Sequence, residues 1–251
     1  MKWLHAGVME NGIVREVVKG TPQGGIISPL LANIYLHYAL DLWAHAWRKQ
    51  NARGEVYFVR YADDFVMGFE DGRDARSMRA ALAKRLAKFG LELHPIKTRV
   101  LSFGRYAHEK CERKGLRKPA TFDFLGFTHI TTRDERGWFR LLRRTSRKKR
   151  VTKLAALRKE LRRRRHDPVA TQHQWLTSVL RGHYAYYGVP GNERAMVTFR
   201  AHLRCAWYRQ LQRRSQRAGW NVARTKLFEK RYPLLKPRVV HPWPEQRFAS
   251  P

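Results

Sequence analysis

Cysteine is scarce in this chain of 251 residues. Cys111 and Cys205 are the only two, and they lie too far apart in the sequence to form a short-spaced metal-binding pair. This scarcity argues against a disulfide framework and against a cysteine-rich zinc site. Free thiols fit a reducing compartment, so we expect a cytoplasmic protein.

A long hydrophobic run is also lacking. The most apolar stretch, residues 26–47, is interrupted by Ser28, Asn33, His37 and Asp41. Such a segment is typical of a buried helix and is too polar for a membrane span. No secretory signal is expected, because the first residues have no apolar run behind a basic start.

Acidic residues are the third scarce class. The chain has 20 Asp and Glu against 52 Lys and Arg, a net charge of +32. Residues 1–104 have 15 basic and 10 acidic residues, whereas residues 105–251 have 37 and 10. The content of 43% apolar and 12% aromatic residues argues against a wholly disordered polycation. Its charge favours a polyanionic partner, with nucleic acid ahead of an anionic membrane because the basic helices lack a large apolar face.

Hydrophobic periodicity predicts an α+β fold in which all the strands precede residue 146. It predicts a loop at 20–25, a helix from a Ser28 cap to about Arg48, a hairpin of Val56–Arg60 and Phe65–Phe69, a helix over 74–89 capped by Asp74, short strands within 91–103, and a second hairpin from 122–130 and 138–142. From Ser146 it predicts helices over 147–165, 171–187, 192–217 and 221–231. The predicted domains are 1–145 and 146–235, followed by an irregular tail at 236–251.

Two aspartates at the tip of the first hairpin, Asp63 and Asp64, are the main candidates for chemistry. Adjacent carboxylates repel each other unless a cation lies between them. Mg²⁺ is the usual cation, since it binds a few carboxylate oxygens and shares its other positions with water and phosphate. A solvated Asp-Asp turn is the alternative explanation of this dipeptide taken alone.

Several sequence blocks follow one another in a specific order. They are Thr21-Pro22-Gln23-Gly24-Gly25, Tyr61-Ala62-Asp63-Asp64, His94-Pro95-Ile96-Lys97-Thr98, Phe124-Leu125-Gly126-Phe127 and Leu180-Arg181-Gly182-His183-Tyr184-Ala185-Tyr186-Tyr187-Gly188. This ordered set resembles the reverse transcriptases encoded by bacterial group II introns, over nearly the whole chain. The resemblance implies a partial right-hand polymerase palm, built of antiparallel sheet with helices, and then an all-α thumb or maturase bundle.

The resemblance also implies roles for individual residues. Asp63 and Asp64 would bind Mg²⁺ in a two-metal site. Lys97 would be the cation that contacts the triphosphate, or the proton donor to pyrophosphate. The residues implied to lie near the nucleotide, template or primer are Gln23, Gly24, Tyr61 and Ala62, and those implied to support the primer end are Phe124, Leu125 and Gly126.

One element of the family pattern is missing. The family's polymerases use a third carboxylate upstream of the Pro22 block, where this chain offers only Glu10 and Glu16, in the wrong context. We therefore expect a C-terminal portion of a longer enzyme that polymerises weakly or not at all by itself. A separate N-terminal fragment or a second copy of the chain would be its partner.

The basic second part predicts nucleic-acid binding. Its candidate RNA-binding residues are Arg147, Lys148, Lys149, Arg150, Arg162, Arg163, Arg164, Arg165 and Arg181. A solvated helix face is the alternative, but few acids are available to pair with these cations. The resemblance implies that intron RNA, an RNA template and a DNA primer or target are the partners, and that the chain assists splicing and retromobility. A non-catalytic RNA-binding splicing cofactor with a vestigial polymerase site is the alternative function.

Overall fold

A computed structural model describes residues 27–214 and 221–242, together with the strand backbones of 8–10 and 13–15. The chain divides into two compact units, Met1–Leu101 and Ser102–Pro251. None of the described helices is long and apolar enough to cross a membrane.

The first unit combines short antiparallel hairpins with helices. Its elements are β1 (Val8–Glu10), β2 (Ile13–Arg15), α1 (Ser28–Leu36), a π-helical turn (His37–Asp41), α2 (Leu42–Asn51), β3 (Val56–Tyr61), β4 (Asp64–Phe69) and α3 (Gly72–Ala87). β1 pairs with β2 and β3 pairs with β4. The predicted helix after the loop is confirmed, but it begins at Ser28, so that Ser28 is not its cap.

The β3–β4 hairpin packs one face against helices. Phe58 and Met67 on that face contact a buried cluster of Leu40, Leu82 and Leu86 from the π-helical turn and α3. The alternating side chains of β3, including Tyr57, Val59 and Tyr61, are exposed on the other face. The strand periodicity of two thus gives the hairpin one buried and one open face.

The start of α3 differs from the prediction. Asp71, not Asp74, is the N-cap, and its side chain accepts a hydrogen bond from the Arg73 amide. Asp74 is only 4% exposed, and its carboxylate accepts from the backbone N–H groups of Arg53 and Gly54. It ties α3 to the loop before β3. The strands predicted within 91–103 are also wrong, since this segment forms a turn at 95–97 and otherwise irregular backbone.

The second unit joins a three-stranded sheet to a helical bundle. Its elements are α4 (Ala107–Glu112), β5 (Phe122–Phe124), β6 (Phe127–Arg133), β7 (Phe139–Thr145), α5 (Arg147–Arg163), α6 (Val169–Tyr187), α7 (Glu193–Gln212) and α8 (Val222–Arg231). The sheet is antiparallel in the order β5-β6-β7. The four predicted basic-part helices are confirmed, with ends shifted by a few residues, and the short α4 was not predicted.

The sheet and the bundle are connected by a buried amide. The Asn192 side chain accepts from the Thr145 amide at 2.8 Å and donates to the Thr145 hydroxyl and the Tyr187 carbonyl, also at 2.8 Å. Both amide protons and the carbonyl oxygen of this side chain are thereby hydrogen-bonded. These bonds cross the sequence-based boundary at 145/146, which followed the change from strands to helices. Residues 122–145 therefore share a compact unit with the helices, while the assignment of palm and thumb stays a prediction.

Candidate functional site

The two adjacent aspartates lie at the tip of the β3–β4 hairpin, as predicted. Tyr61 pairs with Asp64 across the strands, so Ala62 and Asp63 form a two-residue loop. Ala62 has φ 53°, in the left-handed region that side-chain-bearing residues occupy at a cost of about 1 kcal/mol or more. The hairpin therefore presents both carboxylates to solvent on a tightly constrained turn.

An arginine beside the aspartates is committed to a different carboxylate. Arg60, on β3, makes a bidentate ion pair with Asp41 of the π-helical turn, with N–O distances of 2.7 and 2.6 Å. The Arg60 side chain is only 13% exposed. Its hydrogen bonds hold the pKa of Asp41 below its usual range. The Arg60 charge is thus compensated without using the aspartates of the hairpin tip.

The same guanidinium reaches the hairpin turn. Its Nη1 donates to the Asn33 side-chain oxygen and to the backbone carbonyl of Ala62, both at 2.9 Å. Helix α1, the π-helical turn and the hairpin tip therefore meet at one side chain. Sequence reasoning missed this network, although an Asp in an apolar helix and an Arg next to two aspartates were visible signals.

The aspartate pair fits an oxygen-ligated divalent cation. Within residues 27–214 neither Asp63 nor Asp64 has an ion pair or side-chain hydrogen bond, so their oxygens remain available. Mg²⁺ sites commonly use one or two carboxylates, with substrate phosphates and water as the other ligands. The described part of the chain contains no group of three or more His, Cys, Asp or Glu side chains that could hold a metal ion. The donor set here is therefore a pair.

A second tight turn, between β5 and β6, contains predicted primer-supporting residues. Leu125 and Gly126 both have positive φ, 47° and 78°, between the paired Phe124 and Phe127. This is the backbone of a tight two-residue hairpin turn, for which glycine is well suited. Phe124 is half-buried and packs in the sheet region beside the His129 ring.

Helix α6 holds this turn in place. The Tyr186 hydroxyl donates to the Leu125 carbonyl at 2.7 Å. A Cβ added to Gly126 would lie 2.9 Å from the Tyr187 hydroxyl, so a larger residue there would clash as well as strain the backbone. The Phe127 ring contacts both tyrosine rings. Two predicted sequence blocks, around 124–127 and 180–188, are thus brought together.

The first turn of α5 is the most open cationic surface among the predicted clusters. The side chains of Arg147, Lys148 and Lys149 are exposed and have no hydrogen bond or ion pair in the described ranges 27–214 and 221–242. Arg150 is half-buried. The opposite face of α5 is buried through Leu154, Leu157 and Leu161. The helix therefore separates an apolar inner face from a cationic outer one.

The second arginine cluster, at the end of α5, is largely committed to internal contacts. Arg163 and Arg164 both pair with Glu160, and they hold the pKa of that carboxyl at about 2. Arg165 donates to the Gln210 side chain. Of this cluster, Arg162 alone is exposed without such a partner in the described part of the chain. The prediction that too few acids were available is therefore wrong for Arg163 and Arg164.

Comparison with known proteins identifies the family. Residues 1–129 match the sequence model described as reverse transcriptase (RNA-dependent DNA polymerase). The chain belongs to the reverse transcriptase family. A 36-residue segment is 64% identical to the group II intron-encoded protein LtrA of Lactococcus lactis subsp. cremoris, covering 14% of this chain and 6% of that protein. The resemblance to group II intron reverse transcriptases is confirmed by these matches.

Two further relatives extend the comparison. Protein YkfC of Escherichia coli strain K12 is 36% identical over 93 residues, 26% of this chain and 24% of that protein. An uncharacterized 91 kDa protein in the cob intron of Schizosaccharomyces pombe is 26% identical over 114 residues, 43% of this chain and 14% of that protein. The chain thus matches less than a quarter of the length of each of these relatives.

Lys97, Gln23 and Gly24 are the remaining residues predicted near the aspartate pair. Gln23 and Gly24 lie outside the described residues. Lys97 is exposed on the turn after α3, and its amide approaches the His94 ring nitrogen. No hydrogen bond or ion pair within residues 27–101 connects the Lys97 side chain to the hairpin tip.

Two aromatic residues of the basic helices, Trp207 and Tyr184, belong to the core. Trp207 is fully buried and donates its indole N–H to Gln172, while the buried Tyr184 donates to the Leu235 carbonyl. Tyr186, in contrast, is half exposed, and Arg181 on the same helix is exposed. Tyr186 and Arg181 are thus the described candidates on α6 for the predicted contact with nucleic acid.

Proposed function

We propose that this chain takes part in RNA-directed DNA synthesis in a group II intron system, and that it binds the intron RNA and assists its splicing and mobility. The observation that supports synthesis is the uncommitted Asp63–Asp64 pair, displayed on a two-residue hairpin turn in a chain of the reverse transcriptase family. The partial match to an intron-encoded protein supports the group II intron context.

Asp63 and Asp64 would hold Mg²⁺ in this proposal. When bound, the ion would supply activation of the primer 3′-hydroxyl and charge stabilisation for the leaving pyrophosphate. Tyr61 and Ala62, next to the carboxylates, would lie beneath the primer end. Lys97, exposed on its own turn, would deliver a proton to pyrophosphate.

Other residues of the chain would handle the nucleic acid. The Leu125–Gly126 turn would support the primer end, and Gln23 and Gly24 would lie near the nucleotide or template. The cations on the first turn of α5 would contact RNA phosphates, which releases counterions and makes binding fall with salt. Tyr186 would offer a ring for stacking on an unpaired base.

RNA-templated primer extension with Mg²⁺ tests the synthesis proposal. Since the described residues supply two carboxylates, slow extension is expected, and long incubations are needed. Asp63→Asn should reduce it by about 100-fold or more, because a metal ligand is lost. Glu92→Gln, which changes an exposed carboxylate of the same unit, is the matched control and should retain activity.

The opposite result separates the two functional candidates. No extension by the parent chain, combined with salt-dependent binding of structured RNA, would contradict synthesis by the chain alone and favour the non-catalytic splicing cofactor. Extension that persists in Asp63→Asn would contradict the role of the aspartate pair.

A further inference from the structure

The hairpin tip is a place where the backbone needs external support. Ala62 is held at φ 53° without the freedom of glycine, and the loop is only two residues long. The β3–β4 sheet has two strands, so no third strand in its described pairing braces the turn. Backbone conformations of this kind persist where the surroundings fix them.

Arg60 provides such support through a hydrogen bond to the turn. One nitrogen of its guanidinium donates to the Ala62 carbonyl, immediately before Asp63. The same group is anchored by Asp41 through two short hydrogen bonds and by Asn33 through a third. A planar guanidinium can satisfy all these acceptors at fixed angles, whereas a lysine ammonium is a compact charge with three donors.

We infer that Arg60 is the positioning residue of the aspartate pair: anchored on Asp41 and Asn33, it fixes the Ala62–Asp63 loop and so orients the carboxylates that would bind the divalent cation. The second half of this inference, the orientation of the carboxylates toward a cation, rests on the proposed metal-binding function. Its first half, that Arg60 orders the turn, concerns the chain's own residues and can be measured separately. Because Asp41 compensates the Arg60 charge, the arginine orders the turn without competing with the cation for Asp63.

Arg85 offers a matched control. It also ties the π-helical turn to another element of the unit, since its guanidinium donates to the carbonyls of Tyr38 and Ala39. Within residues 27–101 its guanidinium makes no hydrogen bond to the hairpin tip. Arg85→Lys therefore reports the general cost of losing an arginine in this unit.

Amide hydrogen exchange of the full chain tests the ordering of the turn. In Arg60→Lys, the segment 58–67 should exchange about tenfold faster than in the parent, and in Arg85→Lys it should not. Asn33→Ala keeps the ion pair with Asp41 and removes one anchor, so it gives a smaller acceleration and guards against a variant that fails to fold. Unchanged exchange in Arg60→Lys would overturn the inference.

Terbium binding tests the consequence for the cation. Tyr61, 67% exposed and paired with Asp64, lies where its phenol can sensitise Tb³⁺ luminescence. The signal that disappears in Asp63→Asn/Asp64→Asn defines the site. Loss of a residue that orients metal ligands costs about 10- to 100-fold in affinity, so Arg60→Lys should weaken this signal by at least about tenfold and Arg85→Lys should not.

The two readouts separate the inference from the proposed function. If the parent gives no terbium signal that depends on the aspartates, the metal function and the second half of the inference fail, whereas faster exchange in Arg60→Lys still supports the ordering role. If terbium binds but Arg60→Lys and Arg85→Lys bind it equally well, the metal function stands and the positioning of the carboxylates by Arg60 is overturned.

Discussion

The two compact units have the same number of acidic residues but differ in how many basic residues they contain and in which charged side chains have partners. Each has 10, against 15 basic residues in the first unit and 37 in the second. In the first unit, the largely buried Arg60 side chain donates hydrogen bonds to Asp41, Asn33 and the Ala62 carbonyl. The aspartates at the hairpin tip are therefore left without a partner in the described part of the unit. In the second, the first turn of α5 leaves its cations unpaired. Charges without partners, rather than net charge, therefore mark the candidate sites in both units.

The largest expected effect concerns the cores of the two units. Leu180 is fully buried in the large cluster of the bundle, whereas Leu82 belongs to a cluster of few residues beside the hairpin. Leu180→Ala should lower the free energy of unfolding by about 4 kcal/mol, and Leu82→Ala by about 2 kcal/mol, because a small cluster relaxes more easily. Urea denaturation measures both. Equal losses would contradict the difference between the cores.

The next expected effect distinguishes the two cationic clusters of the second unit. Replacing Arg147, Lys148 and Lys149 by Ala should weaken RNA binding by roughly 50-fold at 0.15 M salt and reduce the salt slope by about 2. Arg163, Arg164 and Arg165 replaced together are the control of equal charge, and they should have a smaller effect because they contact Glu160 and Gln210. Filter binding over a salt series measures both. A larger loss in the control would reverse this ranking.

A third prediction concerns pH and the second unit alone. His183 stacks on Phe199 with ring centroids 3.8 Å apart, and burial lowers its pKa to about 4. The unfolded chain, with a pKa near 6.5, binds the proton more readily, so stability present above pH 6.5 is lost as the pH falls toward 4. Between pH 7 and pH 5 the loss should be about 2 kcal/mol. Urea midpoints should show this loss, and His183→Phe should remove it.

The smallest expected effect concerns the turn between β5 and β6. Tyr186→Phe removes the hydrogen bond to the Leu125 carbonyl but keeps the ring against Phe127. It should cost about 1 kcal/mol of unfolding free energy. Thermal denaturation beside Tyr57→Phe, an exposed tyrosine of the first unit, measures it. An equal shift in both variants would assign the effect to the substitution itself.

The parts of the structure that the sequence predicted are those with a local pattern. Alternation predicted the β3–β4 hairpin, and the helical period predicted α5, α6, α7 and α8. The aspartate pair was found because its two residues are adjacent. The prediction of strands within 91–103 was wrong because a short apolar run has the local pattern of a strand whether or not a partner strand is available. The local pattern does not show whether such a partner exists.

The parts that the sequence did not predict depend on distant polar contacts. Arg60 and Asp41 are 19 residues apart, and Asp74 lies 21 residues from the Arg53 amide it accepts from. Such pairs have no periodic signal. Glu160 was different: its spacing of three and four residues from Arg163 and Arg164 is the helical pairing distance, and this local signal was available.

The cations at the start of α5 have a consequence for folding. The first turn of a helix is the positive end of its macrodipole, and α5 places no acidic residue there. Each cation at that end opposes the helix by up to about 1 kcal/mol. A polyanion bound there removes this opposition, so occupancy of the surface and formation of the helix are thermodynamically linked. The partner of this surface would then act as the missing acidic cap of α5, and its arrival would raise the melting temperature of the bundle.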